Sequence, residues 1–368
     1  MVAGGEGSMG EFYNPVKAVF GAGSFDRIPE LIAGRPYAVV TYGQPYFAGL
    51  VDRLEQAAGK AAIVIDNVMA NPDFPEVKIG CERLAAMDVL PEVYIGLGGG
   101  SAIDTAKALA VSGGDWDLLK EHLESGGARS DELLGPCIIA VPTTAGTGSE
   151  VSIGAVIWDR ANNGKWGVRT PKAYADYAVV DPELTLSLPR DQTISTALDA
   201  MSHALESIWT VKRNVVTQPI AVQAARDVLR YLPALSEDLG NIELRTHIAN
   251  AAMLAGIALS QTRTSIAHQM SYPLTMHHDV PHGIACGFSL PMVMSWAIGH
   301  DAVCDEGLAG VFGEDLQAGV KNFETFMDDL GVARDPTAYG PSQADWDGWL
   351  ANAVEGEKGK SFLGKVPI

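Results

Sequence analysis

Short apolar runs alternate with amphipathic stretches through the first half of the chain. Residues 37–41 (YAVVT), 61–65 (AAIVI), 93–97 (VYIGL) and 137–141 (CIIAV) predict buried strands. Residues 45–59 and 75–87 carry helical periodicity between them. Strands alternating with helices imply a mostly parallel sheet with right-handed crossovers. After residue 153 a hairpin is expected, IGAVIWD and KWGV joined by a turn at Asn162-Asn163-Gly164, followed by a short apolar run at 178–181 (AVVD). Beyond Pro182 and Pro189 the pattern changes. Residues 191–212, 217–236, 243–268 and 283–299 read as helices rich in Ala, Leu and Met, and the last 30 residues show no clear period. The expected architecture is an α/β, Rossmann-like nucleotide-binding domain over 1–184 and an all-helical metal and substrate domain over 185–368.

Composition narrows the function classes. Hydrophobic residues make up 47% of the 368, enough for two large cores. The formal charge of −19 argues against nucleic acid, whose phosphates demand Lys and Arg. No uninterrupted run of 18 apolar residues occurs, so no membrane span is expected. The opening MVAGGEGSMGEF has neither a basic nor an apolar signal region and reads as a loose tail. The four cysteines include no CxxC pair, which suits a reduced, cytoplasmic protein.

Two polar loops follow predicted strands. In Gly98-Gly99-Gly100-Ser101-Ala102-Ile103-Asp104 the glycines let backbone approach a ligand, and the next helix start offers free amides to a pyrophosphate. The spacing is not the usual GxGxxG, and the loop comes late in the chain. The second loop, residues 142–150, carries Thr143, Thr144 and Thr147. Both lie past strand carboxyl ends, where parallel sheets bind ligands, and a nicotinamide nucleotide across the two is the coherent reading. After strand 37–41 comes Tyr42 rather than a carboxylate, so the 2′-phosphate of NADPH is tolerated beside NADH.

A third constellation lies in the helical half. Asp199 and His203 are four residues apart and share a helix face. His268 and His282 lie on two further segments, with Pro281 preset to start a helix. One carboxylate and three imidazoles suit a divalent metal, Fe2+ or Zn2+ first, with Mn2+ and Ni2+ behind. Glu206, three residues after His203, is a candidate outer partner.

Several stretches together resemble the iron-containing, or group III, alcohol dehydrogenase family: GGGSAIDTAK at 98–107, PTTAGTGSEVS at 142–152, DPELTLSLP at 181–189, DAMSHALES at 199–207, AHQMSYPL at 267–274 and PHGIACGFSLP at 281–291. The resemblance implies that Asp199, His203, His268 and His282 hold the metal. It also implies that Gly98, Gly99, Gly100, Ser101, Asp104, Thr143, Thr144 and Thr147 serve the cofactor, and that the protein is a homodimer. Many relatives carry a histidine four residues beyond the third ligand, where Tyr272 stands here. The acid that follows the first nucleotide-binding strand in many relatives is replaced by Tyr42.

The string at 263–291 is similar to a narrower branch that reduces phosphonoacetaldehyde to 2-hydroxyethylphosphonate. The substrate implied is therefore a small aldehyde or alcohol carrying a phosphonate, reduced with metal and NAD(P)H; a general short-chain alcohol dehydrogenase or lactaldehyde-type reductase is the alternative. Arg263 is the first candidate for the phosphonate, with Lys165 and Arg169 as further cations for a substrate or cofactor anion. Tyr272, His278 and a water relayed through the nicotinamide ribose are the candidate proton donors.

Overall fold

The computed structural model describes residues 10–162 and 164–367. Asn163 of the expected turn and the first nine residues of the expected tail lie outside them. The chain divides into two compact units, one of residues 14–144 and 149–185, the other of 1–13, 145–148 and 186–368.

The first unit is built on eight strands: β1 (Lys17–Phe20), β2 (Tyr37–Val40), β3 (Ile63–Ile65), β4 (Val93–Gly98), β5 (Cys137–Pro142), β6 (Ala155–Asp159), β7 (Gly164–Val168) and β8 (Tyr177–Val180). Six form one parallel sheet in the order β1-β8-β5-β4-β2-β3, and β6 pairs with β7 as the expected antiparallel hairpin. The helices are α1 (Ile28–Ile32), α2 (Pro45–Ala58), α3 (Phe74–Ala85), α4 (Gly100–Ser112) and α5 (Trp116–Glu124). β1 carries no sequence signal strong enough to have been expected. It is a short edge strand, in register with β8 from Lys17↔Tyr177 to Phe20↔Val180.

Period-two alternation decides the packing. Ala38, Val40, Tyr94, Ile138 and Ala140 enter one core with α3 and α4, while Tyr37, Val39, Ile95, Leu97, Ile139 and Val141 enter the other with α1 and α2. Both faces are covered, which is why these strands read as continuous apolar runs. The chain steps outward from β2 to β3 and returns to β4 on the other side of β2. The loops after β2 and β4 therefore flank the switch point of the sheet.

The second unit holds α6 (Arg190–Ile208), α7 (Thr217–Glu237), α8 (Ile242–Thr262), α9 (Ile266–His278), α10 (His282–Gly287), α11 (Leu290–Ala297), α12 (Ala302–Phe312), α13 (Leu316–Asp329), α14 (Gln343–Glu355) and α15 (Glu357–Lys360). Three expectations change. The helix expected over 243–268 is two, because Arg263 takes a left-handed φ of 63° and ends α8. The helix expected over 283–299 breaks after Gly287, and a new one starts with Pro291 in its first turn. The last residues contain α14, fixed by a reciprocal cap between Ser342 and Asp345. Among the described residues no helix is long and apolar enough to cross a membrane.

One buried polar cluster ties the sheet unit together. Lys107 of α4 is fully buried and donates to the carbonyls of Ser149 (2.7 Å), Ser152 (2.6 Å) and Gly154 (3.1 Å). Burial lowers its ammonium to about 8, against the pull of Asp104 and Glu150. Burial pushes Glu150 up to about 7 from an ordinary 4.5. An acid raised by folding holds its proton more tightly folded than unfolded. Its contribution is full below pH 4.5 and is lost as pH rises through about 7. Glu150→Gln stays neutral and escapes this loss. Its unfolding free energy should match wild type near pH 4 and exceed it above pH 7, by an amount on the order of 3 kcal/mol at most; melting temperatures of the two proteins that run parallel across that range would contradict the assignment.

Candidate functional site

Helix α6 supplies the centre of the cluster. Asp199, His203 and Glu206 lie on one face of it, all buried. His203 Nε2 is 3.4 Å from Asp199 Oδ1, His268 Nε2 of α9 is 3.5 Å from the same oxygen, and His282 Nε2 of α10 is 3.9 Å from it. The rings of His203 and His268 stack at 4.8 Å, and those of His268 and His282 meet edge-on at 5.4 Å. The structure thus sets the three expected histidines each within 3.9 Å of one Asp199 oxygen, but the group of ligand atoms that all lie within 4.8 Å of one another does not include His203.

Backbone contact makes this convergence possible. A Cβ on Gly283 would lie 1.7 Å from the Ser195 carbonyl oxygen, and one on Gly287 would lie 2.9 Å from Leu198 Cβ. Only glycine allows α10 to approach α6 so closely, and that approach carries His282 to Asp199.

The electrostatics single out the same point. Asp199 Oδ1, His268 Nε2 and His203 Nδ1 are buried without hydrogen-bond partners. Buried polar atoms are seldom left so, because each costs about 1–3 kcal/mol. Burial would raise the Asp199 carboxyl, yet the neighbouring His203, His268 and His282 rings hold it well below the usual carboxylate range. His203 is pushed down to about 4, chiefly by burial. Burial works against a charge on His268, yet the neighbouring Cys286, Glu206 and Asp199 raise that ring well above an ordinary imidazole, so capture of an ion there would release its proton.

Glu206 orients the third ring. It accepts from His268 Nδ1 at 2.7 Å and from the His268 amide at 3.1 Å. That bond holds a proton on Nδ1 and aims Nε2 at Asp199.

Sequence reasoning missed Cys286. It is buried one turn after His282, its sulfur 3.7 Å from His282 Nε2. With Asp199, His268 and His282 it forms a group whose ligand atoms all lie within 4.8 Å of one another. The signal was present, since HGIAC puts His and Cys on one helix face.

The nucleotide-binding candidates divide. Gly98 has φ 152°, and a Cβ there would meet Tyr42 Cε2 at 2.6 Å. A Cβ on Gly99 would meet Thr144 Oγ1 and Tyr42 Oη, each at 3.3 Å. Gly98, Gly99, Tyr42 and Thr144 are therefore one cradle at the start of α4. The Thr143 amide donates to the Gly98 carbonyl at 2.9 Å. Tyr42 occupies the cradle itself: its hydroxyl bonds Ser101 and the amides of Gly99 and Ala102, and burial raises it. Ser101 Oγ also accepts from the Asn71 amide at 3.0 Å.

Asp104 does different work from that expected. Its two oxygens accept from the Ser149 hydroxyl and from the Val156 amide, so it fastens the second loop and the hairpin to α4. Thr147 belongs with the helical unit. There the loop threads between α6 and α8: a Cβ on Gly146 would sit 2.5 Å from the Thr196 carbonyl oxygen, and one on Gly148 2.4 Å from Gly256 Cα.

The substrate candidates also move. Arg263 is exposed at the end of α8 and is not on the helix of His268. Lys165 lies over the Trp158 ring at 4.7 Å, and the Arg169 amide donates to His122 Nε2 at 3.2 Å. His278 packs against Trp349 at 5.9 Å, at the far end of α9, about 15 Å of helix rise from His268. Tyr272 stays one turn from His268, on the same face.

Residues 15–182 match the model of the iron-containing alcohol dehydrogenase family, and residues 193–361 match that of its C-terminal region. A 1-propanol dehydrogenase of Salmonella typhimurium is 32% identical over 252 residues, 68% of this chain and 64% of that protein. A phosphonoacetaldehyde reductase of Streptomyces viridochromogenes is 30% identical over 258 residues, 69% of this chain and again 64% of the relative. This chain therefore spans just under two thirds of the length of both. A sulfoacetaldehyde reductase of Bifidobacterium kashiwanohense, solved with NAD+, superposes with a TM-score of 0.90 at 27% identity, covering 98% of this chain and 96% of that one.

Two variants test the assembly. Glu206→Gln should weaken divalent-metal affinity about 10–100-fold in a chelator competition titration while leaving the fold intact. Gly283→Ala, which removes no ligand, should also lower metal affinity, because α10 can no longer reach α6; affinity equal to wild type would show that the close approach is dispensable.

Proposed function

The chain belongs to the iron-containing alcohol dehydrogenase family, and we propose that it is a metal-dependent, NAD(P)H-linked reductase of short-chain aldehydes, working reversibly on the matching alcohols. The observation that carries this reading is the buried Asp199 oxygen and the His268 nitrogen, left without partners and facing one point. Asp199, His203, His268 and His282 would hold one divalent ion, Fe2+ or Zn2+ before Mn2+ or Ni2+. Gly98, Gly99 and Ser101, with the amides at the start of α4, would hold the nucleotide, once the Tyr42 hydroxyl yields those amides.

Bound at these places, a divalent cation supplies Lewis acidity to a carbonyl oxygen, and a reduced nicotinamide supplies the two electrons and the hydrogen. The chain's own residues do the rest. Asp199 brings a full negative charge into a dry site. His203, His268 and His282 would each offer a ring nitrogen to the ion. Glu206 keeps His268 from turning away.

A second reading narrows the substrate to aldehydes with an acidic tail, such as phosphonoacetaldehyde. The likeness to reductases of phosphonoacetaldehyde and sulfoacetaldehyde favours it, although Arg263 does not lie where it would serve.

Chelation should abolish aldehyde-dependent NAD(P)H oxidation, and Fe2+ or Zn2+ should restore it. Asp199→Ala should lose metal binding and at least about a hundredfold in turnover. Full turnover by protein shown to be metal-free would overturn the proposal.

A further inference from the structure

Lys358, on the short C-terminal helix α15, lies against Tyr272. Its ammonium donates to the Tyr272 hydroxyl and stands 4.5 Å from the centre of the same ring. Neither residue is fully exposed. The lysine's backbone is pinned: its carbonyl accepts from the Ser265 hydroxyl at 3.2 Å and from the Ser361 hydroxyl at 2.7 Å. Ser265 is buried in the turn that opens α9 and also accepts from Ser361 at 3.3 Å. The chain end is thereby fastened beside the helix that carries His268.

The charge of this pair is not balanced. The chain holds 45 acidic and 26 basic residues, so carboxylate partners are abundant. Yet Lys358 forms no ion pair with any described carboxylate, and its partners are a neutral phenol and an aromatic face. An ammonium has three donors, and the phenol takes one. The pair is therefore a half-buried positive charge with donors to spare. It sits one helical turn from the metal candidates, and four residues of α9 rise about 6 Å. That is the length scale of a two-carbon aldehyde with a tetrahedral anion at its far end.

We infer that Tyr272 and Lys358 form a receptor for the anionic tail of the substrate, a sulfonate, phosphonate or carboxylate, with the aldehyde group directed toward Asp199, His203, His268 and His282. Lys358 is then a specificity-determining residue, in the part expected of Arg263. The inference rests on the reductase reading and supplies its substrate class. Its attraction is electrostatic, so added salt weakens it.

The test uses the full chain in two forms. Calorimetry on metal-free, cofactor-free protein measures binding of 2-hydroxyethanesulfonate, 2-hydroxyethylphosphonate, glycolate and 1-propanol. Turnover on the metal-loaded protein compares sulfoacetaldehyde, phosphonoacetaldehyde and glyoxylate with propanal. Lys358→Met should weaken binding of the anions at least about tenfold and lower kcat/KM for the charged aldehydes at least as much, mainly through KM. Propanal should change less than about twofold. Lys358→Arg should retain most of the discrimination, and Tyr272→Phe should lose part of it. The anion with the largest Lys358-dependent effect identifies the tail. Equal losses for charged and uncharged aldehydes, or anion binding unchanged in Lys358→Met of wild-type melting temperature, would overturn the receptor. Absence of turnover with every aldehyde, while Lys358→Met still loses anion binding, would instead overturn the reductase reading and leave the receptor standing.

Discussion

Asp199 is the constraint on which the rest of the helical unit turns. A carboxylate buried in α6 with one oxygen unpaired is too costly to keep unless something positive completes it. Three imidazoles converge on that oxygen, and each is brought there by a different device: helix periodicity for His203, the Glu206 anchor for His268, and a glycine-only helix contact for His282. None of these devices has a purpose in a purely structural core. Leucines at the same positions would pack with less cost.

Much of this was legible in the sequence, for reasons that differ by element. The strands of the central sheet are covered on both faces, so their apolar runs announced them. Asp199 and its three histidines were legible through Asp199 and His203 at helical spacing, and through a family likeness spread along most of the chain. What sequence could not supply was the third dimension. The break at Arg263 depends on one left-handed residue in an otherwise helical pattern. That break separates Arg263 from His268. Cys286 and Lys358 gain their meaning only from neighbours on other helices, His268 and Asp199 in the first instance and Tyr272 in the second, a relation that no local period carries.

The glycine-rich turn shows a different kind of gap. Its residue types suit phosphate, and the switch point of the sheet puts it where nucleotides bind. Within the turn, however, the residues divide their labour. Gly98 and Gly99 stay small because Tyr42 and Thr144 stand over them. Asp104 and Lys107, one and two turns further on, face inward and tie α4 to the loop and hairpin that follow. The motif is half cradle and half scaffold, and reading it as a single contact surface overstates the first half.

The pressing of α10 onto α6 at Gly283 has a thermodynamic side. With backbone against backbone there is no side chain between the helices to yield, so neither can drift while the other stays. His282 is held against Asp199 before any ion arrives. Little conformational entropy then remains to be lost on capture, and the grip on the ion is set by the chemistry of its donors rather than by the cost of gathering them.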